Sequence, residues 1–314
     1  NAGAPEIKIE VNEGTVSLSR DVYASVKNRA GELLPTVEQQ SLTAAPNSAT
    51  GGSYRFAQKQ VVREFGNLQE ARDFYQREQA AALEAKDAAL LEKASLAYGK
   101  VLLLLGDNAG ARQQYEQALG SAKTSLSPKV EAAALNNLGI SYQNLGQLQL
   151  AQDYYQRSLA LRRTLYEPVH VEIAQNLNNL GILYRALGKY CESLQALDEA
   201  QEILRRLEST DYISTLTTAK TLLSLGSVQG EIMRPKTALK TINAARSKLE
   251  TLPANNDVAL ERANSELALG IVLLESGQAN QAVQHEREAL RQHEKLFSSA
   301  DHPAMINARE ELGR

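Results

Sequence analysis

Residues 135–146 read LNNLGISYQNLG, and residues 177–188 read LNNLGILYRALG. The two stretches are nearly identical and stand 42 residues apart. An internal period of this length is typical of a solenoid, in which each repeat is a helical hairpin that buries its apolar face against its neighbours. The repeat therefore decides the fold class before any single residue is considered.

The same frame extends along the chain in both directions. Its first mark is a glycine in all but one case, at steps of 40 to 45 residues: Lys59, Gly99, Gly139, Gly181, Gly226, Gly270 and Gly313. A second mark follows seven residues later: Gly66, Gly106, Gly146, Gly188, Met233 and Gly277. Five residues further on stands a small side chain: Ala71, Ala111, Ala151, Ser193, Ala238 and Ala282. Because helices approach closely only where side chains are small, the first glycine and this small residue predict the crossing point of each hairpin.

The frame predicts an all-α solenoid over residues 54–314, with six repeats and a partial seventh. The partial repeat at the end is either a truncated hairpin or a capping helix. Residues 1–41 are predicted to form an extension, a β-hairpin in which Ile7, Ile9 and Val11 alternate with polar residues, followed by a short helix. The extension either caps the first repeat or ends an upstream domain. Residues 42–53 are rich in turn formers and predict a flexible linker.

Composition excludes several classes of function. The net charge is −3 and the charges are interspersed, so no basic or acidic block indicates a nucleic-acid or membrane-surface partner. Cys191 is the single cysteine, which rules out an intrachain disulfide and predicts a buried small side chain. No run of 18 apolar residues predicts a membrane span, and no signal region opens the chain, so a cytoplasmic location is expected.

Enzymatic and metal-dependent functions find little support. The chain has no phosphate-binding loop, nucleophile elbow or H-E-x-x-H motif, so we expect no catalysis and no cofactor. His285 and His293 lie eight residues apart on one predicted helix face, but no third ligand stands at helical spacing, so no metal is expected. We expect Tyr142, Tyr155 and Tyr184 to pack in the core.

The repeat resembles the tetratricopeptide repeat. Leu138-Gly139-x2-Tyr142, followed by Ala151-x3-Tyr155, is similar to that family's W-x2-L-G-x2-Y…A-x3-F pattern, with Leu135 in place of Trp. The long period and the LNNLG core are similar to the extended repeats of kinesin light chains and of bacterial multi-repeat proteins. The frame of Gly226 departs most, because Gln229 replaces the aromatic residue and Arg234-Pro235 replaces the usual turn. The resemblance implies a right-handed superhelix with a concave groove that binds an extended or helical segment of a partner.

The resemblance also implies which residues face that groove: Lys93, Lys100, Asn136, Asn137, Gln143, Gln175, Asn178, Asn179, Arg185, Lys220 and Ser224. Asparagine disfavours a helix interior, so four asparagines in two equivalent turns cost on the order of 2 kcal/mol unless something compensates. In related repeats such amides hold a peptide backbone, and flanking cations hold carboxylates. The alternative is that the amides bond across neighbouring helices and fix the pitch of the superhelix.

These expectations favour a non-enzymatic scaffold that binds a protein or peptide partner, and acidic groups on that partner would suit the cations of the groove. The alternative is a regulatory or sensor arm of a larger enzyme, such as a caspase-like protease or an ATPase, of which this chain would be a fragment. Self-assembly through exposed repeat ends is a further hypothesis.

Overall fold

The protein is described by a computed structural model that covers residues 8–12, 15–19, 54–55, 64–65, 68–232, 234–296 and 309. Within these residues lie four short strands and eleven α-helices. The helices are α1 (Leu68–Glu84), α2 (Ala88–Leu104), α3 (Asn108–Thr124), α4 (Pro128–Asn144), α5 (Leu148–Leu165), α6 (Val171–Ala186), α7 (Tyr190–Leu207), α8 (Tyr212–Glu231), α9 (Pro235–Glu250), α10 (Asn256–Glu275) and α11 (Ala279–Leu296).

Consecutive helices pack as antiparallel hairpins, which confirms the predicted solenoid. Five hairpins are complete in the described residues: α2–α3, α4–α5, α6–α7, α8–α9 and α10–α11. The first helices of successive hairpins contact one another, most extensively at α6, α8 and α10. We call them the inner helices, because curvature brings together the elements on the concave side. The second helices are the outer helices.

The glycine frame marks the crossing point of each hairpin, as predicted. A Cβ atom added to the first glycine of each complete hairpin would lie 2.5–2.6 Å from a side chain of the outer helix. That side chain always stands sixteen residues later: Tyr115, Tyr155, Leu197, Ile242 and Glu286. The spacing shows that only glycine lets the two helices meet at this distance.

The turns between the helices use the second glycine of the frame and short polar caps. Four glycines of the described turns have positive φ, which suits the left-handed end of an inner helix: Gly106, Gly146, Gly188 and Gly277. Asp87 and Asp211 cap the next inner helix by accepting a backbone N–H from the third residue beyond, at 2.9 and 3.0 Å. The caps and turns hold successive hairpins at a regular spacing.

Short strands stand at both ends of the first predicted helix, which corrects the all-α prediction at these four residues. β3 (Tyr54–Arg55) pairs antiparallel with β4 (Glu64–Phe65) at the two ends of that helix. The position of Lys59, where all other marks are glycine, is the sequence feature that separates this frame from the others. The first helix of the described residues is α1, the second helix of the predicted first repeat, and residues 56–63 lie outside the described residues.

The predicted N-terminal hairpin is present as β1 (Lys8–Asn12) paired with β2 (Thr15–Ser19), with Val11 opposite Val16. The short helix near residues 21–30, the linker at 42–53 and the partial seventh repeat lie outside the described residues, apart from Arg309. The predicted boundaries of these segments stay predictions.

The apolar core runs along the solenoid in two long parts. One cluster of buried side chains extends from Leu96 in α2 to Leu204 in α7. A second cluster extends from Ala219 in α8 to Ala282 in α11. Between them lies a small cluster of Leu197, Leu225 and Val228. This small cluster joins the two long parts where α7 packs against α8.

Candidate functional site

The inner helices line a concave groove, which is narrow enough to be bridged by side chains. Lys100 Nζ on α2 lies 4.0 Å from Asp257 Oδ2 on α10. These helices belong to the first and the fifth complete hairpins, so the ion pair joins opposite walls of the groove. The strand β3 also contacts α10. A ligand in the groove would therefore lie within reach of side chains from both walls.

The junction between the inner helices α4 and α6 is tied by side-chain amides. Asn136 Oδ1 accepts hydrogen bonds from Asn176 Nδ2 at 3.0 Å and from Asn179 Nδ2 at 2.9 Å. Asn136 Nδ2 in turn donates to Asn137 Oδ1 at 3.3 Å. Asn136 is 7% exposed and Asn176 is fully buried. These contacts support the alternative in which Asn136 and Asn179 hold the pitch of the superhelix.

The next junction, between α6 and α8, lacks this amide tie. Asn178 stands at the position equivalent to Asn136, yet its Oδ1 is buried without a hydrogen-bond partner among the described residues. The positions that would supply donors hold Thr221 and Ser224. Their hydroxyls donate to carbonyls of their own helix, at 2.9 and 3.0 Å. One weaker side-chain bond, from Gln175 Nε2 to Thr217 Oγ1 at 3.3 Å, links the two helices nearby.

The predicted carboxylate-binding cations already have acidic partners within the chain. Lys220 Nζ lies 3.1 Å from Glu261 Oε1 on α10, and Arg185 pairs with Glu231 on α8. The negative charge of Glu261, helped by Asp257, raises the pKa of Lys220, although desolvation opposes the shift. An acidic partner would have to compete with these carboxylates for the cations. Lys93 on α2, the fourth predicted cation, has an exposed side chain.

The predicted groove residues thus divide by accessibility. Asn136 and Asn178 are buried at 7% and 5% exposure, so a ligand in the groove does not reach them in this arrangement. Asn137, Gln175 and Asn179 are half-buried, as are Gln143, Ser224 and the three paired cations. Gln143 Oε1 accepts a hydrogen bond from Tyr155 at 3.2 Å. The accessible polar set therefore lies along the middle of the inner helices.

Sequence reasoning missed the acidic half of the groove. Asp257 and Glu261 are one turn apart on α10, and both face lysines of other inner helices. They lie thirteen and nine residues before Gly270, upstream of the positions that the family resemblance supplies for the groove. Their spacing of four residues on a predicted inner helix was the available signal.

The structure also tests the predictions for the tyrosines and the single cysteine. Tyr142 and Tyr155 are buried and Tyr184 is half-buried, which confirms their packing role. Cys191 is exposed, so the prediction of a buried side chain was wrong. It lies in the first turn of the outer helix α7, two residues before Ser193, the small residue at the helix crossing. His285 Nδ1 lies 2.7 Å from Glu266 Oε2.

Comparisons with known proteins agree with this architecture. Two family profiles, both described as tetratricopeptide repeat, match residues 130–206 and 267–304. The photosystem I assembly protein Ycf3 of Prochlorococcus marinus (strain MIT 9303) is 33% identical over 101 residues, which are 32% of this chain and 52% of that protein. The chain therefore spans about half the length of the curated relative it matches.

Solved structures show the same fold at low sequence identity. The apo form of RapI has a TM-score of 0.57 and 16% identity, with 79% of this chain and 93% of that chain covered. BtubC from P. vanneervenii has a TM-score of 0.55 and 19% identity, with 72% and 91% covered. Identities this low establish the architecture alone.

The chain is a member of the tetratricopeptide repeat superfamily, with its repeats arranged as a right-handed superhelical solenoid. Proteins of this superfamily generally mediate protein–protein interaction and are generally non-enzymatic. None of the helices in the described part of the chain combines the length and apolarity needed to cross a bilayer.

Proposed function

We propose that this protein is a non-enzymatic scaffold whose concave groove binds an extended or helical segment of a partner protein. One observation carries the proposal. Half-buried amides, Asn137 on α4 and Gln175 on α6, lie on successive inner helices, and Lys220 lies on the next one, α8. A side-chain amide both donates and accepts, so a row of them pairs with a peptide backbone whatever its sequence.

The ion pairs of the groove indicate which interactions with a partner would supply the affinity. Lys100, Lys220 and Arg185 are each paired with a carboxylate of another inner helix. An acidic segment would gain these cations only by displacing Asp257, Glu261 and Glu231. Exchange of one ion pair for another contributes little net free energy. We therefore propose that backbone recognition by amides supplies most of the affinity, and that charged groups of the partner set its position.

A random-peptide display library, selected against the whole chain, tests the groove. The affinity of an enriched peptide is then measured for a variant that carries Asn137→Ala and Gln175→Ala. Each lost hydrogen bond is expected to weaken binding about fivefold, because a hydrogen bond contributes roughly 1 kcal/mol. The dissociation constant should therefore rise about 25-fold if both amides contact the peptide.

A matched control uses the same substitutions on the outer helices. Asn243→Ala on α9 and Gln195→Ala on α7 change exposed residues away from the groove and should leave the affinity unchanged. Equal affinity of the groove variant and the control variant, with helicity preserved in both, would contradict the groove as the binding surface.

A further inference from the structure

The last complete hairpin buries a histidine where the two hairpins before it bury leucine. His293 on α11 is 0% exposed. It stands seven residues after the crossing residue Glu286, and the same place holds Leu204 in α7 and Leu249 in α9. A buried imidazole costs free energy unless polar groups around it compensate. The polar neighbours of His293 on the facing helix are therefore central to its role.

A chain of polar side chains connects His293 with the groove. His293 Nε2 lies 3.3 Å from Asn264 Oδ1 on α10, and Asn264 Nδ2 donates a hydrogen bond to Glu261 Oε2 at 3.2 Å. Glu261 Oε1 in turn lies 3.1 Å from Lys220 Nζ on α8. We call these four residues the polar relay. One end of the relay lies inside the last hairpin, and the other end is a cation that is predicted to face the groove.

The other charged groups near His293 are held by contacts of their own. Glu266 on α10 lies 2.8 Å from Arg246 Nη2 on α9 and 2.7 Å from His285 Nδ1 on α11. Arg262 on α10 donates to the Leu249 carbonyl at 2.9 Å. The titratable or charged side chains around His293, besides Glu261, are Arg246 and Glu250 on α9, Arg262 and Glu266 on α10, and His285 and Glu286 on α11.

Burial keeps His293 uncharged near neutral pH. Desolvation lowers the pKa of His293 below its usual value of about 6.5, although the Ala289 carbonyl and the negative charge of Glu261 oppose the shift. The side chain therefore gains its charge in mildly acidic solution. The negative charge of Glu261 also raises the pKa of Lys220. One carboxylate thus interacts both with a groove cation and with a titratable imidazole in the interior.

We propose that His293 is a proton sensor that regulates the groove through the polar relay. At neutral pH the imidazole is neutral, and Lys220 is the single cation of the relay. In mildly acidic solution, a positive charge on His293 attracts the same carboxylate and weakens its hold on Lys220. Lys220 then becomes more available to a carboxylate of a partner segment. This regulation rests on the proposed function of the groove, whereas the coupling of His293 to Lys220 does not need a ligand.

An NMR titration of His293 tests the coupling in the full chain without any partner. The chain has four histidines, so the spectrum of a His293→Gln variant assigns the imidazole resonance. Lys220→Gln should raise the pH midpoint of His293 by about 0.3–0.5, because the charge of Glu261 is then less neutralised. Glu261→Gln, which keeps the shape of the side chain, should lower the midpoint by about the same amount.

A matched control removes the same charge far from the relay. Lys123→Gln changes an exposed residue of α3 and should leave the midpoint of His293 unchanged. If Glu261→Gln lowers the helicity, Lys220→Gln carries the test, since the Lys220 side chain is 42% exposed. A midpoint that stays constant in the relay variants, or that moves equally in the Lys123 variant, would overturn the coupling.

The affinity of a display-selected peptide that carries aspartate or glutamate tests the regulation. Its dissociation constant should fall about two- to threefold from about pH 7.5 to about pH 5.5, since coupling between two sites is reciprocal. His293→Leu, which introduces the residue of the two preceding hairpins, should abolish the change. Equal pH dependence in both chains would overturn the regulation. Failure of such peptides to bind the groove would overturn the proposed function and the regulation with it, while the NMR titration would still decide the coupling.

Discussion

The α4–α6 and α6–α8 junctions are built on the same repeat, yet they treat the same asparagine differently. At the first junction, Asn136 accepts bonds from two amides of the next inner helix. At the second, the equivalent Asn178 has a buried oxygen with no partner among the described residues. The difference follows from two substitutions in the next helix, where Thr221 and Ser224 replace the donors. A repeated motif thus stabilises one junction and leaves its copy incomplete.

The largest effect is expected from Asn136→Leu, which keeps the number of side-chain atoms and removes the acceptor. Asn176, which is fully buried, and Asn179 would lose their shared partner. Leaving buried donors unpaired costs about 2–4 kcal/mol of unfolding free energy. Urea unfolding followed by circular dichroism measures this loss. A change below about 1 kcal/mol would show that the tie is not needed for stability.

A smaller effect of opposite sign is expected from Ser224→Asn. The new amide stands at the position equivalent to Asn179 and can donate to the unpartnered oxygen of Asn178. One new hydrogen bond to a buried acceptor should raise the unfolding free energy by about 1 kcal/mol. Ser224→Ala is the control, since it removes only a hydroxyl bonded to its own helix. The gain should vanish in an Asn178→Leu background, and a gain that persists would assign it to another cause.

A still smaller gain is expected from Asn178→Leu alone. The substitution replaces a buried, unpartnered oxygen by an apolar group of similar shape. Relief of the desolvation penalty should offset any misfit and give a change between zero and about 1 kcal/mol in favour of folding. The same substitution at Asn136 should destabilise, so the pair of variants gives opposite signs in one assay. A loss above about 2 kcal/mol at Asn178 would imply a partner for its oxygen.

The smallest effect concerns the α8–α10 junction, where an ion pair replaces the amides. Glu261 raises the pKa of Lys220, so the folded value lies above the unfolded one. The stabilisation by charged Lys220 is therefore complete below about pH 10.4 and is lost as the pH rises through the folded pKa. The side chain is 42% exposed, which limits the contribution to less than about 1 kcal/mol.

Unfolding of the parent chain and of Lys220→Gln, measured side by side from neutral to strongly alkaline pH, isolates this contribution. The difference in unfolding free energy should stay constant up to about pH 10 and shrink above it. A difference that grows with pH would contradict the assigned direction of the pKa shift.

The sequence predicted the hairpins and their crossing points because those features depend on local packing. The glycines Gly99 to Gly270 require close contact with the outer helix, and that requirement is visible at fixed spacing. The accessibility of each asparagine was not predictable, because Asn136 and Asn178 stand at identical places in the motif. Their different environments arise from the residues on the next helix, which a single-repeat pattern does not include.

Contacts between distant hairpins also could not be predicted from the sequence. The pair of Lys100 and Asp257 depends on how far the superhelix bends over five hairpins. That bend accumulates from the small rotation at every junction, so no local pattern gives it. The strands at residues 54–55 and 64–65 show the opposite case. The repeat frame was extended into this segment and predicted a helix, although Lys59 stands where the other frames have glycine.

Hydrogen–deuterium exchange of the chain with and without a display-selected peptide tests the central claim most directly. If the groove between the inner helices binds the peptide, exchange should slow in α4, α6 and α8, with little change in the outer helices α5 and α7. Slower exchange confined to the outer helices would place the ligand on the convex surface and contradict the account.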